Sequence, residues 1–129
     1  MTFADYVGIP YRPHGTDRSG VYCYGLLQLV YAEMLGITLP SRDHIADYGV
    51  VRGEAIRDDI EAGIWREVDE PQPFDAVLYR MLGNDFHLGI ATSRSRVLHA
   101  NRPQTVIIPH SDPRWTRRLS GIYRHEALI

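Results

Sequence analysis

The sequence predicts an α+β domain in which N-terminal helices pack on an antiparallel sheet of five to six strands. Apolar residues recur at helical spacing before residue 64, whereas short apolar runs separated by turn residues follow residue 75. Helices followed by a series of short strands are typical of an antiparallel sheet, because parallel strands need a long crossover between them. The length of 129 residues fits one domain over residues 1–129.

Two main helices precede the predicted strands. In the first, over residues 23–35, a broad apolar face recurs at helical spacing, and Gly36 ends the helix before Pro40 blocks its continuation. The second, over residues 54–63, is amphipathic and ends at Gly63. Around them we predict a short helix at residues 2–7, a structured loop rich in Gly, Pro, Asp and Ser at 8–21, and an irregular segment at 41–53.

The second half of the chain has the pattern of a strand meander. Each apolar run is four to six residues long, and segments that contain Gly, Asn, Asp, Ser or Pro separate the runs. The predicted strands are residues 76–80, 87–91, 97–100, 105–108 and 119–124, with tight turns at 82–85 and 92–96.

Composition excludes several classes of function. The formal net charge of −2 gives no electrostatic support to nucleic-acid binding. No stretch of about 18 apolar residues is present, so we predict no membrane span. The first 15 residues lack a basic segment followed by an apolar run, so we expect no secretory signal there. One cysteine excludes an intrachain disulfide.

Arginine residues crowd the last third of the chain, where they favour either an anionic polymer or a partner protein as ligand. A solvated arginine-rich face explains the same pattern equally well. The residues concerned are Arg94, Arg96, Arg102, Arg114, Arg117 and Arg118.

Cys23 lies at the predicted start of the main helix, a place that suits a nucleophile. Free backbone N–H groups and the positive end of the helix dipole stabilise a thiolate, which is the reactive form, and the same N–H groups can bind an oxyanion. Gly25, two residues on, would keep the approach to Cys23 open. The alternative is an inert cysteine buried in an apolar helix.

His87 and His99 strengthen the catalytic interpretation. In a hairpin that turns at residues 92–96, residues whose numbers add up to about 187 lie opposite each other, and this pair nearly meets that condition. The two imidazoles would then be close enough for one to orient the other, as in a nucleophile–base–orienter triad. Two strand histidines bonded to backbone are the alternative. A zinc site built from Cys23, His87, His99 and His14 is disfavoured, because no paired Cys or His spacing is present.

These residues resemble the NlpC-type family of peptidoglycan peptidases, which are papain-like cysteine hydrolases. The first family block is a Gly-x-Pro-Tyr entry, a Gly-rich loop and an Asp-Cys-Ser-Gly-Leu start of the helix. The second is a Gly-Asp strand start, then His-Val-Gly-Ile-Tyr, then an apolar strand that often ends in His. The matching segments here are GIPYR at 8–12, GTDRSG at 15–20, YCYGL at 22–26, FDAVLY at 74–79, HLGIA at 87–91 and VLHA at 97–100.

Further segments are similar to the phage branch of that family, which includes tail-assembly peptidases and the cell-wall peptidases of gene transfer agents. They are LGITLP at 35–40, WREV at 65–68, PQP at 71–73 and WTRRLSGIYR at 115–124. This resemblance implies a component of a phage or phage-like virion tail tip, with tail hub proteins as partners. Such a protein would be made in the bacterial cytoplasm and would act in the periplasm or cell wall of a target cell.

The family resemblance implies a papain-like NlpC-type fold and a role for each matched residue. Cys23 would be the nucleophile, His87 the general base and His99 the residue that orients His87, while the Tyr11 hydroxyl would help to hold the oxyanion. The reaction would be hydrolysis of a stem-peptide amide, commonly between D-glutamate and diaminopimelate, through an acyl-enzyme. No metal or organic cofactor is implied.

Two positions depart from the family pattern. Tyr22 replaces the Asp that meets the free amine of the substrate, and Tyr24 replaces the small Ser after the cysteine. Both tyrosines are expected to reshape the substrate groove. These departures favour a second hypothesis, a structural tail-tip protein with a vestigial site. A thiol acyltransferase is a third, because acyl transfer and hydrolysis share the acyl-enzyme.

Overall fold

The computed structural model describes residues 1–41, 51–81, 83 and 85–129, and in them helices pack against an antiparallel sheet. The helices are a 3₁₀ turn at Phe3–Tyr6, α1 (Cys23–Val30), which continues into a π turn at Tyr31–Leu35, α2 (Gly53–Glu61), α3 (Pro113–Thr116) and a 3₁₀ turn at Glu126–Leu128. The strands are β1 (Thr16–Asp17), β2 (Gly20–Val21), β3 (Val51–Arg52), β4 (Trp65–Val68), β5 (Ala76–Arg80), β6 (Asp85–Ala91), β7 (Arg96–Ala100), β8 (Thr105–Pro109) and β9 (Leu119–His125). The predicted α+β class with an antiparallel sheet is confirmed.

The main sheet has the strand order β4-β9-β5-β6-β7-β8, and β3 pairs with the start of β6. The five predicted strands are all present, with bounds that shift by two residues at most. Within the described residues the sheet has seven strands, because β3 and β4 join it. Neither was predicted: two to four residues are too few to show a two-residue alternation.

Helix α1 is the central helix of the domain. Leu26, Leu27 and Val30 are buried on the face that the apolar spacing predicted. The last turn is a π turn rather than an α turn, and Gly36 follows it with φ 67°, a left-handed conformation that glycine adopts without strain. The predicted helix at residues 23–35 is therefore confirmed in its bounds.

The sheet buries side chains on both faces. One face packs against α1 through alternate residues of three strands, among them Leu78, Leu88 and Leu98. Burial of each such leucine stabilises the fold by roughly 1.5–3 kcal/mol. The other face carries Val77, Tyr79, Ala91 and Val97, and Trp115 of α3 covers it.

A largely buried ion pair joins Asp75, the residue before β5, to Arg124 of β9. Arg124 donates from Nε to Asp75 Oδ1 at 2.9 Å and from a terminal nitrogen to Oδ2 at 2.8 Å. The Asp75 carboxylate also accepts from the backbone N–H of Gln72 at 2.8 Å and is 0% exposed. Three donors therefore satisfy a carboxylate that is fully removed from water.

The remaining predictions about the chain can be placed as follows. The predicted helix at 54–63 is α2, and Gly63 follows it with φ 79°. Of the segment predicted to be irregular, residues 42–50 lie outside the described residues, as do residues 82 and 84 of the predicted tight turn. In the described part of the chain, no helix is long and apolar enough to cross a bilayer. A single domain over residues 1–129 stays a prediction.

Candidate active site

Cys23 is the first residue of α1 and lies against strand β6. Its side chain is 1% exposed. A backbone hydrogen bond links the thiol to Leu88, the residue that follows His87 in the strand. The start of the helix and the predicted base are thereby brought to the same part of the sheet.

Burial controls the protonation of this thiol. It raises the pKa of Cys23 to about 12, although backbone hydrogen bonds from Leu88, Tyr24 and Cys23 itself act in the opposite direction. The expectation that the helix N-terminus lowers the pKa of Cys23 enough to form a thiolate is therefore wrong for the resting site. Desolvation of an almost wholly buried sulfur outweighs the helix dipole, and the protonated thiol is the resting form.

His87 and His99 form a buried hydrogen-bonded pair. His87 Nε2 lies 3.0 Å from His99 Nδ1, and the two residues are 7% and 0% exposed. In the hairpin, Ile90 pairs with Leu98, so the two histidines are diagonal neighbours on one face rather than directly opposite. The predicted contact between the imidazoles is confirmed; their catalytic roles stay predictions.

Aromatic side chains enclose the imidazole pair. The Trp115 ring stacks on His87 at 4.9 Å between centroids and meets His99 edge-on at 5.0 Å. Tyr79 lies directly opposite His87 in β5. His99 Nε2 and the Tyr79 hydroxyl are buried and have no hydrogen-bond partner among the described residues. The sequence prediction identified neither aromatic neighbour.

Both histidines are held neutral at pH 7. Burial lowers the pKa of His87, and the neighbouring His99 lowers it further. Burial also lowers the pKa of His99, while Asp112 opposes this change in part. The neutral imidazole is the form that can accept a proton from a thiol, but a pKa lowered in this way makes it a weaker base in the resting site.

These shifts predict a pH-dependent stability. Because both folded-state pKa values lie below the ordinary value near 6.5, the unfolded chain binds more protons than the folded chain at acid pH. The free energy of unfolding should be largest above about pH 6.5 and should fall below it, by up to about 1.4 kcal/mol per pH unit for each histidine. Urea unfolding at pH 7 and pH 5 measures this change.

A matched pair of variants isolates the histidine contribution. His99→Gln should have a shallower loss of stability between pH 7 and pH 5 than the wild type. His14→Asn should keep the wild-type loss, because His14 is exposed and asparagine tolerates its φ of 59°. An unchanged pH dependence in His99→Gln would show that the buried pair does not titrate as described.

The three tyrosines of the predicted site lie in different surroundings. Tyr11 carries the Arg102 guanidinium 4.5 Å above its ring, and Arg102 donates to its hydroxyl at 3.5 Å. Tyr22 is the buried N-cap residue of α1, with its ring 6.1 Å from that of His14. Tyr24 is buried and donates from its hydroxyl to the Pro40 carbonyl at 2.6 Å. Tyr24 thus contributes to the wall of the core, beside a small cavity of about 30 Å³ between α1, α2 and the sheet.

Comparison with known proteins identifies the family. The pattern that defines the NlpC/P60 family matches residues 8–124. The chain belongs to the NlpC/P60 family. The match covers the N-terminal loop, α1 and every strand of the main sheet, so the predicted family is confirmed.

Individual relatives of this NlpC/P60 domain agree with that assignment. The chain is 26% identical over 123 residues to the murein DD-endopeptidase MepS/murein LD-carboxypeptidase of Escherichia coli strain K12, covering 95% of this chain and 58% of that protein. It is 29% identical over 130 residues to the gamma-DL-glutamyl hydrolase of Bacillus subtilis strain 168, covering 95% of this chain and 28% of that protein. The chain therefore spans less than two thirds of the length of either relative.

A solved structure supports the fold of this NlpC/P60 domain. The crystal structure of the NlpC/p60 domain of the peptidoglycan hydrolase SagA superposes with a TM-score of 0.63 at 20% identity and covers 95% of this chain and 92% of that one. The predicted papain-like NlpC-type fold is thereby confirmed.

Gly25 has a different role in this NlpC/P60 domain from the one predicted. A Cβ added there would lie 1.9 Å from the carbonyl oxygen of Gly15, which accepts a hydrogen bond from the Tyr22 backbone at 3.2 Å. Gly25 therefore lets the N-terminal loop touch α1 directly. The absence of a side chain makes room for backbone rather than for substrate.

We expect Gly25→Ala to lower the free energy of unfolding by about 2–3 kcal/mol, because a backbone carbonyl cannot move aside as a flexible side chain can. Urea unfolding tests the sign as well as the size of the effect. Intrinsic helix propensity alone predicts the opposite, a gain of about 1 kcal/mol for alanine over glycine. A more stable variant would show that the loop does not press on the helix.

The metal alternative gains no support from the described part of the NlpC/P60 domain. There, no group of three or more His, Cys, Asp or Glu side chains is placed to hold a metal ion.

Helix α3 was also missed by the sequence prediction, although a signal for it exists. Asp112 caps the helix by accepting from the Arg114 N–H at 3.0 Å, and proline occupies the first turn. An Asp-Pro pair of this kind is a recognised start of a helix. With only four residues, the helix has no apolar periodicity by which it could have been recognised.

Proposed function

We propose that this chain is a peptidoglycan cysteine endopeptidase that hydrolyses a stem-peptide amide bond through an acyl-enzyme. The observation that carries the proposal is the buried His87–His99 pair beside the strand residue that contacts the Cys23 thiol. Membership of the NlpC/P60 family supports it, as do relatives named as a murein DD-endopeptidase and a gamma-DL-glutamyl hydrolase.

The proposed reaction has two halves. His87 takes the thiol proton of Cys23, and the thiolate sulfur attacks the amide carbonyl carbon to form a tetrahedral oxyanion. N–H groups at the start of α1, together with the Tyr11 hydroxyl, stabilise that oxygen. The C–N bond then breaks as His87 returns the proton to the leaving amine. Water, deprotonated by His87, attacks the thioester and releases the acid and the free thiol.

The proposed roles, together with the hydrogen bond between the two histidines, require one particular tautomer of each. His87 Nε2 is occupied by His99, so Nδ1 is the atom that accepts the Cys23 proton. His87 must therefore carry its resting hydrogen on Nε2 and donate it to His99 Nδ1. His99 in turn must carry its hydrogen on the buried Nε2. The Asp112 carboxylate, which raises the pKa of His99, favours this arrangement and the imidazolium that forms.

The burial of Cys23 places a condition on this mechanism. A neutral thiol and a neutral imidazole are the resting state, so proton transfer accompanies substrate binding rather than preceding it. A bound carbonyl supplies the developing oxyanion that makes the transfer favourable.

A digest of purified peptidoglycan and of defined stem peptides, followed by mass spectrometry, tests the proposed activity. New fragments with one free amine and one free carboxylate at the cut would establish hydrolysis and identify the bond. A transferred acyl group in place of the acid would favour the acyltransferase. A digest without new fragments would contradict the proposed enzymatic activity and favour the structural alternative.

We further propose that the enzyme is a component of a phage or phage-like tail tip that helps the particle to penetrate the cell wall of its target. The resemblance of residues 35–40, 65–68, 71–73 and 115–124 to the phage branch supports this proposal. Antibody labelling of purified tail particles, viewed by electron microscopy, tests the location. Label at the tip is expected, and particles free of the chain would contradict the proposal.

The second candidate is a structural tail-tip protein with a vestigial site. Two observations favour it: Cys23 is almost wholly buried, and Tyr22 stands where the family has an Asp that meets the substrate amine. A nucleophile without access to substrate would leave only the fold in use.

A further inference from the structure

A groove of about 500 Å³ opens beside the imidazole pair, on the same face of the sheet. His99 pairs with Val106 of β8, and Val97 pairs with Ile108, so both β8 side chains lie on the histidine face. Trp115 packs on both imidazoles and also lines the groove. The groove therefore lies beside the Trp115 ring that covers the imidazole pair. Its lining is Asn101, Val106, Ile108, Arg114, Trp115 and Arg118.

Two guanidinium groups give this groove its charge. Arg114 is held by Asp112, with Nε 3.2 Å from Oδ1 and a terminal nitrogen 2.8 Å from Oδ2, so its charge is largely balanced. The Arg118 guanidinium donates to the Arg80 carbonyl at 3.4 Å, and among the described residues no carboxylate forms an ion pair with it. The uncompensated charge of the groove is therefore that of Arg118.

The apolar lining of the groove favours hydrogen bonds made by that charged group. Val106, Ile108 and the Trp115 ring line the same groove as the guanidinium with apolar surface, and an apolar wall makes a charged hydrogen bond stronger than it is in open water. Guanidinium binds carboxylate through two parallel N–H donors, a geometry that a carboxamide cannot match because it has a single oxygen. The groove thus fits a carboxylate on a partly apolar peptide.

We propose that this groove is a substrate subsite that binds a free carboxylate next to the scissile amide of the stem peptide, with Arg118 as its principal ligand. The inference rests on the proposed function, because it takes the reacting amide to lie at Cys23 and the imidazole pair. It makes Arg118 a specificity residue: stem peptides with free carboxylates are preferred to those in which the same group is amidated.

Matched peptides test this preference. The pairs differ only in whether the D-glutamate α-carboxyl, or the free carboxyl of diaminopimelate, is a carboxylate or a carboxamide. For one of the two pairs, Arg118→Gln should raise KM for the carboxylate peptide about tenfold, change kcat little and leave the carboxamide peptide unaffected. Arg118→Lys should restore part of the difference, since it keeps the charge and loses the planar fork.

Arg117→Gln is the control for these kinetics. Arg117, like Arg118, is an exposed arginine just after α3. Its side chain donates to the Pro113 carbonyl and does not line the groove. It should show wild-type KM values for all peptides. An equal change in KM for carboxylate and carboxamide peptides, or no change for any of them, in Arg118→Gln would overturn the proposed subsite.

A binding measurement separates failure of the subsite from failure of the proposed function. Cys23→Ala, which cannot form an acyl-enzyme, is titrated with the same uncleaved peptides by calorimetry. A preference of about tenfold for the carboxylate member of one pair, lost in Cys23→Ala/Arg118→Gln, would establish the subsite even if the wild type cleaves nothing. Equal affinity of Cys23→Ala for both members of each pair would overturn it, whatever the wild type cleaves.

Discussion

Cys23→Ala is expected to reduce the rate of stem-peptide hydrolysis at least about 10³-fold, the largest effect predicted for this protein. The proposed mechanism forms a thioester at Cys23, and alanine offers no atom that can replace the sulfur. His87 and the oxyanion donors would remain, but they would have no nucleophile to activate. The mass-spectrometric digest, run on wild type and variant at equal concentration, measures the loss.

The fold should survive this substitution. Loss of one buried sulfur leaves a small cavity at the start of α1, which costs about 1 kcal/mol, well below the stability of an ordinary domain. An unchanged circular dichroism spectrum and a cooperative urea transition provide the control. Cleavage that persists in a folded Cys23→Ala protein would remove Cys23 from the mechanism.

Asp75→Ala is expected to cause the largest loss of stability, about 3–5 kcal/mol in the free energy of unfolding. The reason lies in what the substitution leaves behind. Arg124, whose side chain is 17% exposed, would keep its charge without the carboxylate that now accepts two of its hydrogen bonds at 2.8 and 2.9 Å. The N–H of Gln72 would also lose its acceptor. Urea unfolding at pH 7 measures the change.

Two further variants show whether burial is the cause. Glu70→Ala breaks the exposed pair with Arg94, in which both side chains are about 70% exposed, and should cost less than about 1 kcal/mol. Asp75→Ala/Arg124→Met removes both charges and should recover part of the stability lost in the single variant. Equal losses of stability for Asp75→Ala and Glu70→Ala would contradict the inference that burial makes the Asp75–Arg124 pair the more important of the two.

The histidine pair shows how far sequence reasoning reached into the site. Hairpin symmetry predicts that His87 and His99 lie side by side, and the 3.0 Å contact agrees. The predicted centre of the hairpin was slightly displaced, so the pair is diagonal rather than directly opposite. The error was harmless, since both side chains still point to the same face.

Sequence patterns alone predict the class of the fold, the main helix, the five long strands and the order of the candidate catalytic residues. Each of these depends on periodicity, turn residues or spacing along the chain, which are local properties. The family resemblance added the roles of Cys23, His87 and His99, which stay predictions.

The environment of those residues depends on how distant segments pack in the folded chain. Burial of Cys23 reversed the expected shift in its pKa, because desolvation depends on what packs around the sulfur rather than on its place in the helix. The contact between Gly25 and Gly15, and the position of Trp115 over the imidazoles, join segments that are far apart in the chain. The groove that Arg118 lines arises in the same way, because β8, α3 and the residues that follow β7 and α3 form it together.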